Sequence, residues 1–268
     1  MKLRAFMVLA LAGAASPALA SLSFSGGPLS ENFDALTATT VTGAFPLPTG
    51  THTAIPTLTA WAGTKVAGTG TTAMNFFADP GTGNSGGLYS YAITAGERAL
   101  GGLASGSNTG AFGVQVVNNT LGSLTEFTVS FNGEEYRKAI PASLAGSAAV
   151  NSLAFAWGVS GAGLTGTNFL NDPSMTAHAP GNVVGTTPLV FGATPVNVFT
   201  ALGTVSVTIT GLNVAPGQSI FVRWNDFNDV GNDAGLSIDN FGFSAVPTPG
   251  ALALMGLGGL VAARRRRA

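Results

Sequence analysis

The sequence predicts an all-β protein, an antiparallel β-sandwich that is jelly-roll-like, and three observations predict it. Apolar residues alternate with small or polar ones at a period of two in several stretches. Pairs rich in Gly, Pro and Asn fall between those stretches as turn signals. Between its two ends the chain reads as strands rather than helices, with no fixed-period repeat that would suggest a solenoid or propeller.

Taken in order, Met1 to Ala20 carries Lys2 and Arg4, an apolar stretch from Ala5 to Ala15, and small residues at Ala18 and Ala20. That order is the pattern of a secretory signal peptide cleaved after Ala20. Thr37–Thr72 is rich in Thr, Gly, Ala and Pro and weak in apolar period, and so is Ser160–Thr187; both are expected to be long loops. In "LTEFTVSF", Phe127, Val129 and Phe131 alternate with Thr128 and Ser130, and in "LAFAWGV", Leu153, Phe155, Trp157 and Val159 alternate with small residues. The same period recurs at Val205, Val207 and Ile209, and at Ile220, Val222 and Trp224. Asp79-Pro80-Gly81, Asn118-Asn119, Asn132-Gly133 and Pro216-Gly217 supply turns. Residues 21–245 are long enough for one such domain.

Charge narrows the function. Apart from the two chain ends, Lys65, Arg98, Arg137, Lys138 and Arg223 face all twelve acidic residues, so the body is acidic. It has no basic stripe, which excludes nucleic acid as a partner on electrostatic grounds. Cysteine is absent, so no disulfide staples the fold despite the expected export, and stability must come from a core.

The C-terminus explains the remaining positive charge. Ala251–Ala263 is a short apolar run that ends in Arg264, Arg265, Arg266 and Arg267. It predicts a short transmembrane helix with the arginines held on the cytoplasmic side and the body outside. Pro247, Pro249, the apolar run and the arginine cluster resemble the tail of PEP-CTERM exported bacterial proteins, with Thr248 where the family usually has Glu. The resemblance implies that residues 246–268 are a sorting and anchor segment. It would be held transiently in the inner membrane, cut by an exosortase-type processing enzyme, and released to the cell surface or extracellular matrix. Three body segments, "NSGGLYSYAITAGERALGGLASGS", "FNGEEYR" and "PGQSIFVRWNDFNDVGNDAGLSIDNF", are similar to a body domain common among such exported proteins. Glu135, Tyr136, Ala234, Ser237 and Asn240 depart from its usual motifs. That resemblance implies a surface sandwich and names no ligand.

The third of those segments gathers four of the seven aspartates. Asp226, Asn228, Asp229, Asp233 and Asp239 carry oxygens of the kind calcium takes, with Gly231 permitting a sharp turn, although Val230 and Ser237 rule out an EF-hand loop. The other reading is a loop whose Asn and Asp side chains hydrogen-bond their own backbone.

Catalysis finds little support in the sequence. Glu134 and Glu135 are adjacent, so on a strand they point to opposite faces, and either would need an aspartate of the 226–239 cluster to make the paired carboxylates of a glycan hydrolase. His52 and His178 fall in the two loose regions and read as solvated. Gly83-Asn84-Ser85-Gly86-Gly87 matches a nucleophile elbow literally, but follows a turn rather than an apolar strand. The expected function is therefore non-catalytic: a surface or matrix protein, structural or binding extracellular polysaccharide. Trp61, Tyr89, Tyr91, Tyr136 and Trp224 are the candidate stacking aromatics, although Trp224 continues a core-strand alternation.

Overall fold

The computed structural model describes residues 19–140, 150–161, 163–193 and 197–248. Sixteen strands occur among these: β1 Leu22–Phe24, β2 Leu29–Glu31, β3 Val41–Phe45, β4 Thr53–Ile55, β5 Leu58–Ala67, β6 Met74–Asp79, β7 Gly87–Tyr91 and β8 Ala99–Leu103. They continue as β9 Thr109–Asn118, β10 Leu124–Arg137, β11 Ser152–Val159, β12 Thr176–Ala177, β13 Val183–Val184, β14 Asn197–Val214, β15 Ser219–Asp226 and β16 Gly235–Pro247.

These strands form two facing sheets of eight, an all-β sandwich. The first runs β12-β11-β15-β9-β5-β4, with β1 beside β9 and β13 beside β11. The second runs β14-β10-β16-β8-β7-β6-β3, with β2 beside β16. Pairing is antiparallel except for β1 with β9 and β6 with β7. From β9 to β11, and again from β14 to β16, successive strands change sheet, so the connections cross the open sides of the sandwich as in a jelly roll.

The alternation read from the sequence is the alternation of the core. Phe127, Val129 and Phe131 are buried against the facing sheet, while Thr128 and Ser130 between them point away. Trp224 lies at the centre. Its ring stacks with Phe112 (centroids 5.8 Å apart) and Trp61 (6.2 Å), and meets Phe131 edge-on (5.1 Å) and Phe155 at a tilt (5.3 Å). At Asn240 the backbone takes a φ of 50°, a left-handed conformation that Asn tolerates. The resulting shift lets Ile238 and Phe241 both face the core although they are three residues apart.

Thr37–Thr72, expected as a loop, contains β3, β4 and β5. Its apolar period is hidden because glycine takes an inward position: a Cβ on Gly63 would come within 2.8 Å of Phe45, Ile55 and Leu88, whose side chains fill that space. Ser160–Thr187 keeps only the two-residue strands β12 and β13, but it is not a free loop. Leu164, Phe169, Leu170 and Met175 pack on the outer face of the first sheet against Phe221 and Ala156, and Arg223 Nη1 donates to Phe169 O (2.9 Å) and Asp172 O (3.1 Å). At the far end, β16 runs through Pro247, paired with Leu124. Ala18, Pro249 and Arg264 to Arg267 lie outside the described residues, as do most of the expected signal peptide and the expected apolar anchor. Ala20 is exposed.

Candidate functional site

The aspartate cluster divides between two places. β15 ends at Asp226, whose side chain continues the inward parity of Val222 and Trp224 and is buried beside Asp229 and Asp233. Burial, followed by repulsion from Asp233 and Asp229, pushes its carboxyl well above the usual range. Asp233 is pushed up to about 7, chiefly by burial. Asn151, the residue before β11, ties the loop together: its amide nitrogen donates to both Asp229 and Asp233, and its oxygen accepts from Ala234 N–H (2.7 Å). Asp229 N–H donates to Asp233 Oδ1 (2.9 Å). Asn228 stands exposed at the rim, and Asp239 points from the outer face of the second sheet, where Glu97 and Asp34 are its charged neighbours. Calcium needs six to eight oxygens around one point. Here Asp229 and Asp233 share one amide and Asp239 faces elsewhere. Among the described residues no group of three acids or histidines is gathered closely enough to hold a metal. Asn151, Asp229 and Asp233 make the hydrogen bonds of a turn, while Asp226 Oδ2 is buried without a partner among the described residues.

That turn forms one wall of a cavity of about 240 Å³, which Asn84, Ser105, Arg137, Asn228, Asn232 and Asp233 also line. A second cavity, of about 490 Å³, is lined by Thr72, Asn75, Phe77, Ser85 and Asn108. The two share a ridge made by the segment Asn84–Gly86 and the tight turn Ser105–Asn108. The ridge is held from below. Asp79 accepts from Gly81 N–H (2.7 Å), Gly83 N–H (3.0 Å) and the Thr82 hydroxyl (3.0 Å), Tyr89 donates to Ser85 O (2.6 Å), and Asn108 Nδ2 donates to Gly86 O (3.2 Å). Asn108 Oδ1 is buried with no hydrogen-bond partner among the described residues. Asn75 Oδ1 accepts from Gly43 N–H (2.8 Å), which leaves its amide nitrogen to donate.

The five candidate stacking aromatics are not at the surface. Trp61 and Trp224 are core, and Tyr89, Tyr91 and Tyr136 are buried on the outer side of the second sheet. The three tyrosines instead form a ladder: Tyr136 stacks on Tyr91 (4.7 Å), Tyr91 on Tyr89 (4.8 Å), and Tyr89 supports Phe77 (4.9 Å). The half-buried Phe77 is thus the ring that reaches a cavity, and Phe227 is exposed on the loop between Asp226 and Asn228. Sequence reasoning missed Asn75, Phe77 and Asn108. For Asn75 and Phe77 the signal was the density of Asn, Gly and Ser in "NFFADPGTGNSGG", and for Asn108 that in "SGSNTG"; both also read as ordinary turns.

Of the catalytic candidates, only Glu134 comes near an aspartate of the cluster, Asp239. Glu134 and Glu135 do point apart: Glu134 accepts from the Tyr136 hydroxyl (3.0 Å), whereas Glu135 accepts from Thr186. Burial raises Glu134 to about 7 and Asp239 to about 6, and the two repel each other across β10 and β16. Both are buried, and neither lines the two cavities. His52, expected to be solvated, is half-buried: its Nδ1 lies 3.2 Å from Gly166 O, its ring meets Phe169 edge-on, and burial lowers its pKa to about 4. Ser85 leads into a strand, not a helix, so no elbow forms.

No protein-family model and no curated protein matches the sequence. Solved structures give distant likenesses. The CBM22-1 xylan-binding domain of Paenibacillus barcinonensis Xyn10C shares 13% identity over 84% of this chain and 98% of that one, with a TM-score of 0.35. The K1 cleaved adhesin domain of the Lys-gingipain of Porphyromonas gingivalis W83 shares 11% over 82% and 99%, also at 0.35. TmCBM61, solved with beta-1,4-galactotriose, shares 12% over 62% and 77%, at 0.27.

Proposed function

We propose that this is an exported, non-catalytic surface protein that binds a neutral glycan along the ridge between the two cavities. The observation that carries the reading is the lining of the larger cavity. Phe77, braced by the tyrosine ladder, supplies an apolar face, and Asn75, with a free amide donor, and Asn108 line the cavity beside it. A sugar ring presents the same pair of properties, C–H faces and hydroxyls that both donate and accept. Arg137, Asn228, Asn232 and Asp233 continue the polar lining on the far side of the ridge. Arg137 and Asp233 are the charged groups of that lining and offset each other, which favours neutral chains.

Titration calorimetry with neutral gluco-, xylo- and galacto-oligosaccharides tests the reading. Binding to at least one series is expected, without release of shorter sugars. Phe77→Ala and Asn108→Ala should each weaken it at least about tenfold, the equivalent of 1.4 kcal/mol. Asn75→Ala is the check should Phe77→Ala disturb packing. No binding across the panel, or binding indifferent to all three changes, would overturn the proposal.

The address rests on the two chain ends. Intact-mass measurement of the protein recovered from its host should show a first residue of Ser21 and loss of Arg264 to Arg267. A surface form that retains the four arginines would contradict sorting cleavage.

A further inference from the structure

Among the described strands the two main strand paths have four ends, and three of these edges are short. β3 closes one side of the second sheet with five residues, β4 closes one side of the first with three, and β12 and β13 close its other side with two each. The fourth edge is β14, with 18 residues, and among the described strands it pairs only with β10. A short edge limits itself, whereas a long one offers a row of free N–H and C=O groups to another strand unless charge, proline or a bulge guards it. From Asn197 to Val214, β14 carries no charged residue and no proline.

Within it, Thr204–Thr210 keeps an unbroken register against Asn132–Glu126. Gly203 (φ 92°) and Gly211 (φ 75°) bound this stretch with backbone that other residues rarely adopt. Val205, Val207 and Ile209 face Phe131, Val129 and Phe127 on the core side. Thr204, Ser206, Thr208 and Thr210 are exposed on the other, and the Thr128 and Thr208 hydroxyls bond across the pair (2.8 Å).

Two features choose the occupant. The body is acidic, yet this edge is free of charge, so it offers nothing to attract a charged partner strand and nothing to repel its own copy. The segment is also self-complementary. An antiparallel pair about a two-fold axis through Val207 sets Val205 against Ile209 of the second copy, Ser206 against Thr208, and Thr204 against Thr210. β-branched pairs then lie on one face and hydroxyl pairs on the other, both favourable across strands.

We propose that β14 pairs through Thr204–Thr210 with the same segment of a second copy of this chain, joining the second sheets of two sandwiches into one continuous sheet. An isologous two-fold contact of this kind closes at a dimer.

Sedimentation equilibrium of the full chain tests the proposal, with the double variant Ser206→Lys and Thr208→Lys as its partner. Both positions are exposed, so the fold should hold, while lysines of the two copies would be set against each other. The unmodified protein is expected at twice the chain mass. The variant should show dimerisation weakened at least tenfold, with the melting temperature that the unmodified protein shows when diluted to single chains. Thr204→Lys with Thr210→Lys, also exposed and set against each other between the copies, serves if the first double variant disturbs folding. A protein that stays at the mass of one chain at its highest soluble concentration, or a dimer that survives these lysines, would overturn the proposal.

Discussion

The melting temperature should fall as the pH rises from about 4 to about 8, the reverse of the trend when ion-paired carboxylates stabilise a fold. Glu134 and Asp233 are raised to about 7 and Asp239 to about 6, each chiefly by burial, and burial also raises Asp226 well above the usual carboxylate range. A carboxyl whose folded pKa exceeds its unfolded value holds its proton more tightly in the folded state. Its stabilising contribution is complete below the unfolded value near 4, and it is lost as the pH climbs through the folded value. His52 works the other way: its pKa is lowered to about 4, so its contribution is present above about 6.5 and lost on acidification. Between about 4 and 6.5 one histidine opposes four carboxyls, and above that only the carboxyls still titrate, so stability falls throughout. Each pKa unit is worth about 1.4 kcal/mol, and one group shifted by two units contributes on the order of 3 kcal/mol. For a domain of this size that corresponds to roughly 6–12 °C. Thermal melts across the range measure the slope. Glu134→Gln should flatten it and His52→Gln should steepen its acid half. A melting temperature that rises over the same range would show that these carboxyls are not desolvated as described.

Replacing Trp224 by alanine is expected to have the largest effect of any single change in the core. The ring is fully buried and touches aromatic groups from both sheets, Trp61, Phe112 and Phe155 on one side and Phe131 and Phe241 on the other. Removing it leaves a cavity that the two sheets cannot close without shifting together. Such truncations cost about 3–5 kcal/mol, or roughly 6–20 °C in a domain of this size. Trp224→Phe should recover part of the loss. A melting temperature unchanged in Trp224→Ala would mean that the ring does not join the sheets.

The strands with clean alternation, β10, β11, β14 and β15, were legible because one face of each is core and side chains decide the period. β5 was not legible. Its inward positions include Gly63, which contributes no side chain to the pattern because Phe45, Ile55 and Leu88 occupy its space. The aspartate cluster was visible, but sequence distance could not tell that the chain direction at Asp226 and the strand at Asp239 carry their carboxylates to different surfaces. Asn151, which ties the cluster together, lies 78 positions before Asp229, and nothing local marks it. The aromatic candidates failed for a related reason. Tyr89, Tyr91 and Tyr136 do lie on an outward face, but they stack on one another beneath the loops and leave Phe77 as the ring that reaches a cavity.

The claim that a glycan lies along the ridge is tested most directly by mapping backbone amide resonances while a neutral hexasaccharide is added. The account predicts shifts at Asn75, Phe77, Asn84, Ser85, Asn108, Asn228 and Asn232, on both sides of the ridge, with Glu134 and Asp239 undisturbed. Shifts centred on Glu134 and Asp239, or none at the ridge in the presence of a sugar that binds, would contradict it.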